Sequence, residues 1–303
     1  CFCKKMKKEN SISFVIPAYN AERTLAESVE SIFNSNFNMH DEVIIVDDCS
    51  QDSTLKISED LARKYSPHIT VIQNKENKGC PASRNVGISN AKNDLIFNLD
   101  SDNVLPPHSI EKLVDGLNKE GADVASFKDY FYFKERTSEI THKWICRSGV
   151  FTLSDLFAGM MNPAPGGNFL YKKSFWQKIG GYWEYGKGLH EAWGYTFKML
   201  VNGAKFFVVQ NTFYYHRYSH ESLFVRENKR NNESIRVTNK FIEGNLHIFE
   251  NATLEYIKNN PDWFNSLEKH PLALKGMGIG INGKLIFTSP IKQILYEFKK
   301  IFV

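Results

Sequence analysis

The chain has 303 residues, 42% of them hydrophobic and 24% charged, and 38 Lys and Arg stand against 34 Asp and Glu for a formal net charge of +4. These are ordinary globular values at a length that holds one large domain, or a domain with an appendage. The small, dispersed positive charge argues against a dedicated nucleic-acid binder, and no apolar run approaches the roughly 20 residues that span a bilayer.

The first residues, Cys1 to Lys5, precede Met6-Lys-Lys-Glu-Asn10, which reads as a natural cytosolic start behind an upstream extension with no signal-peptide core. Five cysteines without metal-ligand spacing fit reduced thiols in a cytoplasm. Ile12–Ile16 is β-rich and is expected to end at Pro17. Asn20 is the expected N-cap of a helix through about Phe33, with Leu25, Val29, Ile32 and Phe33 on one face. Val43–Val46 is continuously apolar, as a parallel strand buried on both faces is, and Asp47-Asp48-Cys49-Ser50 follows it. A helix is expected from about Ser53 to Tyr65, a strand at Ile69–Ile72, and a short helix opened by Gly79 and Pro81 that carries Arg84, Asn85 and Gly87.

Leu95–Leu99 is the next strand, and Asp100-Ser-Asp102 closes it. Two carboxylates at i, i+2 share a face of an extended segment, and in a tight turn they converge on one cation. Hard divalent cations take such oxygens and leave positions for phosphate and water. The pair therefore reads as a metal–diphosphate site or as a solvated acidic turn. Sheets of this kind bind ligands outside the carboxyl ends of their strands, which favours the first reading.

Ile110, Leu113, Val114 and Leu117 define another amphipathic helix, and Ala122–Lys128 a fifth strand. Strands alternating with helices imply a mostly parallel sheet. Residues 129–150 read as a hairpin or excursion and Phe151–Met161 as helical. Pro163–Gly167 is a loop, Asn168–Tyr171 a strand and Ser174–Ile179 a helical turn ended by Gly180-Gly181. Glu191–Val201 is a helix and Phe206–Val209 a strand. Residues 223–303 read as a helical appendage interrupted at Gly276–Gly280. Within it Ile291, Ile294, Leu295 and Phe298 form a stripe flanked by Lys292, Lys299 and Lys300. That stripe belongs to a helix packed on the domain or another subunit, or to one in peripheral contact with the inner face of a membrane.

Val15-Ile-Pro-Ala-Tyr-Asn20, Ile45-Val-Asp-Asp-Cys-Ser50, Ala82-Ser-Arg-Asn-Val-Gly87 and Asp100-Ser-Asp102, in that order, resemble the family 2 glycosyltransferases of GT-A fold. Gly166-Gly-Asn-Phe-Leu-Tyr171, Gly180-Gly-Tyr182 and Glu191-Ala-Trp193 look like that family's acceptor half. The resemblance covers about residues 11–222, divided as a nucleotide-sugar half at 11–128 and an acceptor half at 129–222. It leaves residues 1–10 as an extension and 223–303 as the appendage.

The resemblance implies an α/β, GT-A-like fold, with a mostly parallel nucleotide-binding sheet flanked by helices. It implies inverting transfer from a nucleotide diphosphate sugar, with a UDP-sugar as donor, to a hydroxyl of a glycan or glycoconjugate acceptor, assisted by Mn²⁺ or Mg²⁺. Pro17, Ala18 and Tyr19 would line the base, unless they merely end the strand with Tyr19 as core, and Asp48 would accept from the base N–H. Arg84 matches a nucleotide- or phosphate-facing arginine, or else is a surface residue of its helix. Asp102 would ligate the metal, with Asp100 on the ribose or a metal-bound water and Ser101 among the nucleotide-sugar-binding residues. His220 resembles a histidine near the metal, and Arg217 is a candidate phosphate partner. Gly167, Asn168 and Trp193 fall where the acceptor binds.

One position departs from the family pattern. The family has Glu-Asp at a helix start with the Asp as catalytic base; His190-Glu191-Ala192-Trp193 puts Ala192 at that Asp. Either Glu191 takes the proton, with His190 as the second candidate, or the chain is a weakened or non-catalytic nucleotide-sugar binder. A nicotinamide-dependent oxidoreductase shares the strand–helix rhythm but needs Gly-x-Gly-x-x-Gly where Pro17-Ala-Tyr-Asn20 stands.

Overall fold

The computed structural model describes residues 10–145, 147–152, 167–184 and 191–218, together with the backbone of 280–281 and 284–285. Strands β1 (Ile12–Ala18), β2 (Glu42–Asp47), β3 (Ile69–Gln73) and β4 (Leu95–Asn98) are all parallel, in the order β3-β2-β1-β4. β1, β2 and β4 are buried along their whole length, whereas β3, at the edge, is only partly buried. Continuous apolar runs serve strands covered on both faces, and the period of two divides their side chains. Phe14, Ile16, Val43, Ile45 and Phe97 meet α1 (Leu25–Asn34), α2 (Thr54–Lys64) and α4 (Ser109–Glu120). Val15, Ile44, Val46 and Ile96 face the opposite layer, which contains α3 (Cys80–Asn90). Each such side chain, fully buried, contributes about 1.5–3 kcal/mol.

The second half is mixed. β5 (Val124–Phe133) runs parallel to β9 (Phe206–Arg217), and β8 (Phe169–Lys172) lies antiparallel between β4 and β5. β6 (Ile140–Ile145) pairs antiparallel with β5, and β7 (Gly149–Phe151) with β9. Helices α5 (Lys173–Ile179) and α6 (Glu191–Val201) lie in the same layer as α3, through Phe175, Ile179, Tyr195 and Met199.

Several expectations change. β1 does not stop at Pro17: Pro17 pairs with Val46 and the strand runs to Ala18. Pro17 lies past the last β1–β4 pair, Val15 with Asn98, and by alternation its missing N–H faces that side, so no ladder bond is lost. Asn20 does not cap α1, which starts four residues after Ala21 with Thr24 before it. Asn20 instead sits at φ 49°, its N–H donating to Ser50 Oγ (3.0 Å) and its Oδ1 accepting from Gln51 N (2.8 Å), so it ties the turn after β1 to the turn after β2. Residues 129–150 form the ends of β5, a hairpin and β7, and Phe151 is in strand rather than helix. The rest of the expected helix to Met161 lies outside the described residues, as do most of the appendage and the Ile291–Phe298 stripe. Gly280–Ile281 and Lys284–Leu285 pair as a short antiparallel ladder, so that part of the appendage is not helical.

Candidate active site

The carboxyl ends of β1, β2 and β4 open at one edge of the parallel half. Pro17 and Ala18 are buried there, but Tyr19 is 48% exposed, so its ring is surface at the rim and not core. Asp48 is buried and already engaged. Its Oδ1 accepts from the Asn74 amide (2.7 Å) and the Lys78 N–H (3.0 Å), and its Oδ2 from the Gly79 N–H (2.7 Å). Gly79 sits at φ 89°, a conformation that favours glycine and turns the chain so that two successive N–H groups reach the carboxylate. Asp48 thus pins the loop into α3. A carboxylate has about four acceptor positions, so one stays available on Oδ2. Asp47 points to the other side; its Oδ2 accepts from Ser50 N (3.3 Å), while Oδ1 is buried without a hydrogen-bond partner.

α3 also carries Arg84, which is neither on the surface nor open to solvent: it is 1% exposed. Its Nη2 donates to Asp100 Oδ1 (2.5 Å) and its Nη1 to Glu191 Oε1 at the start of α6. Gly87, one turn on, explains how α3 lies so low on the sheet: an added Cβ would stand 2.4 Å from Val15 Cγ1 and 3.2 Å from Val46 Cγ2. The Tyr182 ring covers the guanidinium at 5.4 Å. Gly167, at φ 75°, closes the other side, where a Cβ would meet Ala192 Cβ at 3.1 Å and Arg84 Nη2 at 3.3 Å. Asn168 grips Asp100 twice, accepting from its N–H (2.8 Å) and donating to Oδ2 (3.0 Å), and Asn103 Nδ2 donates to the same oxygen (3.2 Å). Burial lifts the Glu191 carboxyl above its ordinary value; the Arg84 charge opposes this and the Asp100 charge adds to it.

Asp102 is the contrast. No hydrogen bond from another described residue reaches its carboxylate, although the neighbouring backbone is firmly held: its carbonyl accepts from Arg217 Nε (3.0 Å), and Asn103 Oδ1 accepts from Arg217 N (2.9 Å). Burial pushes Asp102 up to about 7, with Asp100 adding and Arg217 opposing. A cation beside it would reverse that logic. Among the described residues no three His, Cys, Asp or Glu side chains converge to hold an ion by themselves. The donor set instead fits a hard divalent cation taken by one or two carboxylates, the other positions left to phosphate oxygens and water.

Of the candidates read from the sequence, Arg84, Asp100, Gly167, Asn168 and Glu191 come together in one cluster. Ser101 and Asp102 continue the same loop, and Pro17, Ala18, Tyr19 and Asp48 stand at the ends of β1 and β2. His190 and His220 lie outside the described residues, and Trp193 is described only through its backbone in α6. Arg217 is not held ready for a phosphate: its guanidinium is spent on carbonyls and on Glu27. Asn74, Asn103, Tyr182 and Tyr214 were not anticipated. Tyr214 OH accepts from Asn168 Nδ2 (3.3 Å) and meets His216 Nδ1 (3.0 Å). Asn103 carried a signal, as an Asx residue closing an acidic turn, and Tyr182 another, as the end of the Gly180-Gly-Tyr182 segment.

A family model described as Glycosyl transferase family 2 matches residues 13–180. The putative glycosyltransferase EpsE of Bacillus subtilis is 42% identical over 114 residues, 38% of this chain and 41% of that protein. The chain spans less than half the length of the first curated relatives it matches. A crystal structure of S. aureus TarS in complex with UDP-GlcNAc superposes with a TM-score of 0.60 at 20% identity, covering 88% of this chain and 80% of that one. The crystal structure of GalNAc-T7 with UDP, GalNAc and Mn²⁺ gives a TM-score of 0.55 at 19% identity, covering 70% and 44%. At such identities both speak for the fold alone.

Proposed function

The chain belongs to the family 2 glycosyltransferases, and on that premise we propose that it is an inverting glycosyltransferase, its catalytic unit at residues 11–222. It moves a sugar from a UDP-sugar to a hydroxyl of a glycan or glycoconjugate acceptor with Mn²⁺ or Mg²⁺. TarS and GalNAc-T7, structures of the same fold, are complexes with UDP-GlcNAc and with UDP and Mn²⁺, which supports the donor and the ion. The observation that carries the reading is that one buried guanidinium, Arg84, binds both Asp100 of the acidic loop and Glu191 of α6. The loop that meets a diphosphate and the carboxylate that meets an acceptor are thereby kept side by side.

In this reading Pro17, Ala18 and Tyr19 line the base, and the exposed Tyr19 ring stacks on it. The remaining acceptor position of Asp48 takes the base N–H. Asp100 and Ser101 face the ribose, and Asp102, with His220, holds the cation. The cation, when bound, stabilises the departing diphosphate as a Lewis acid. Glu191 accepts the proton of the acceptor hydroxyl. Burial favours that role, because a carboxylate lifted above its ordinary value is the stronger base. His190 is the second candidate, and Gly167, Asn168 and Trp193 border the acceptor. Membrane contact is not part of the proposal: no helix among the described residues is long and apolar enough to cross a membrane, and the Ile291–Phe298 stripe lies outside them.

A second reading rests on Ala192. Its methyl group is buried beside Gly167 and Arg84, where the family pattern has the basic Asp, so the chain would bind nucleotide sugars with little or no turnover. A thermal-shift screen of nucleotide sugars with Mn²⁺ finds the donor under either reading, since a ligand at 100 times its Kd adds about 2.7 kcal/mol. Sugar transfer or slow donor hydrolysis by the hit then separates enzyme from binder.

A further inference from the structure

Arg217 ends β9, and the acidic loop hangs on that strand. Val104 and Tyr215 exchange two backbone hydrogen bonds, both 3.0 Å, immediately after Asp102 and Asn103. The Arg217 N–H donates to Asn103 Oδ1 (2.9 Å) and its Nε to the Asp102 carbonyl (3.0 Å). Its Nη1 donates to the carbonyls of Lys134 (2.7 Å) and Glu135 (3.4 Å), in the turn between β5 and β6. Its Nη2 is paired with Glu27 of α1, and the guanidinium lies over the Phe133 ring at 4.5 Å. Described residues therefore take four of the five guanidinium N–H groups, and the side chain is only 11% exposed. A fork so occupied has one N–H left for an anion.

We infer that Arg217 is a positioning residue for the acidic loop. It fastens the backbone of Asp102 to α1 and to the β5–β6 turn, so that the Asp102 carboxylate is presented at a fixed place without a donor from any other described residue spent on it. The inference rests on the reading of Asp102 as the metal-binding carboxylate. The planar fork is what the job needs. Lysine has the charge but not the diverging donors that hold the Asp102 carbonyl, the turn carbonyls and Glu27 together.

The test measures the Mn²⁺ concentration that half-saturates UDP binding, with melting temperature alongside, for wild type, Arg217→Ala, Arg217→Lys and Glu27→Gln. Outer-shell residues of metal sites are worth about 10–100-fold in metal affinity, so Arg217→Ala should raise the midpoint at least about tenfold, with UDP binding recovered at saturating Mn²⁺. Arg217→Lys should fail to restore the midpoint. Glu27→Gln removes the negative charge from one exposed arm of the clamp and should shift the midpoint in the same direction by less, which keeps the test decisive if Arg217→Ala does not fold. An unchanged midpoint in Arg217→Ala overturns the inference. So does full rescue by lysine, or tighter UDP binding in Glu27→Gln, because either would make Arg217 a simple charge for the diphosphate. UDP binding by wild type that is indifferent to Mn²⁺ and to chelator would instead remove the metal reading of Asp102, and the inference with it.

Discussion

Asp48 and Asp102 end neighbouring parts of one sheet and are held in opposite ways. The Asp48 carboxylate is held by three donors from residues 26 to 31 positions away, on the very next strand–loop–helix unit, with one acceptor position to spare. Asp102 has its backbone fixed from 115 positions away by Arg217, and no hydrogen bond from another described residue reaches its carboxylate. Asp100, between them, is held by Arg84, Asn103 and Asn168, and through Arg84 it reaches Glu191, 107 residues from that arginine. The nucleotide end is therefore built by local chain geometry, and the metal-and-acceptor end by contacts between distant strands and helices. A pocket of the first kind forms with its own supersecondary unit. A site of the second kind exists only when β8, α6 and β9 have docked.

The largest expected effect lies at the long-range end. Glu191→Gln keeps the size and one hydrogen-bonding oxygen but cannot take a proton. It should lose on the order of 10²–10⁴-fold in transfer rate, while UDP binding stays near the wild-type value. Wild-type turnover would remove Glu191 as base and pass the role to His190, whereas a sharp rise in activity in Ala192→Asp would mark the natural chain as a weakened enzyme.

The sequence already located much of this. Val43–Val46 and Leu95–Leu99 read as strands because Val43–Val46 and Leu95–Phe97 are continuously apolar, as strands buried on both faces are. Glu191–Val201 read as a helix with the same bounds the structure has. Asp48, Arg84, Asp100, Asn168 and Glu191 were candidates in advance. What could not be read was pairing. Nothing local in Arg84 says that its partners stand 16 and 107 positions on, or that the guanidinium is buried between them. The extension of β5 and β9 is not legible for a related reason: Asp129–Phe133 and Gln210–Arg217 mix polar and aromatic residues. They become strand by pairing with each other and, for β5, with β6. Asn20 looked like a cap because Asx residues favour caps, but the turns after β1 and β2 compete for the same side chain.

The opposite edge of the sheet, where β1 and β2 begin, has its own titration. Burial raises Asp41, just before β2, from an ordinary value of 3.8 to about 6, against the Ile12 and Asn38 N–H groups that bond it. A carboxyl raised on folding favours the folded state most below its unfolded value, and that contribution is lost as pH rises through the folded one. Between pH 4 and 6 stability should fall by an amount on the order of 3 kcal/mol from this group. Asp41→Asn should flatten that slope when unfolding free energies of the two proteins are compared across pH. An identical slope would mean that Asp41 titrates alike in both states.

Asp48→Ala should weaken UDP binding by about 1.5–3 kcal/mol, the cost of losing a charged hydrogen bond. It should also lower stability, because Lys78 and Gly79 lose their acceptor. A change in binding alone would mean that the loop into α3 holds itself. Gly87→Ala tests how the two ends communicate. The new methyl must push Val15 or lift α3, at a cost of about 1–3 kcal/mol in stability by denaturant unfolding. Transfer should suffer as well, since Arg84 rides on the same helix. Unchanged melting with unchanged rate would break the link between α3 and the site.

The most direct measurement is UDP release from a panel of UDP-sugars, with and without Mn²⁺, by wild type and by Asp102→Ala. Release by wild type that needs the metal and disappears in Asp102→Ala, with the melting temperature of the variant retained, is the predicted result. Release that is equal in Asp102→Ala, or that persists in excess chelator, contradicts it.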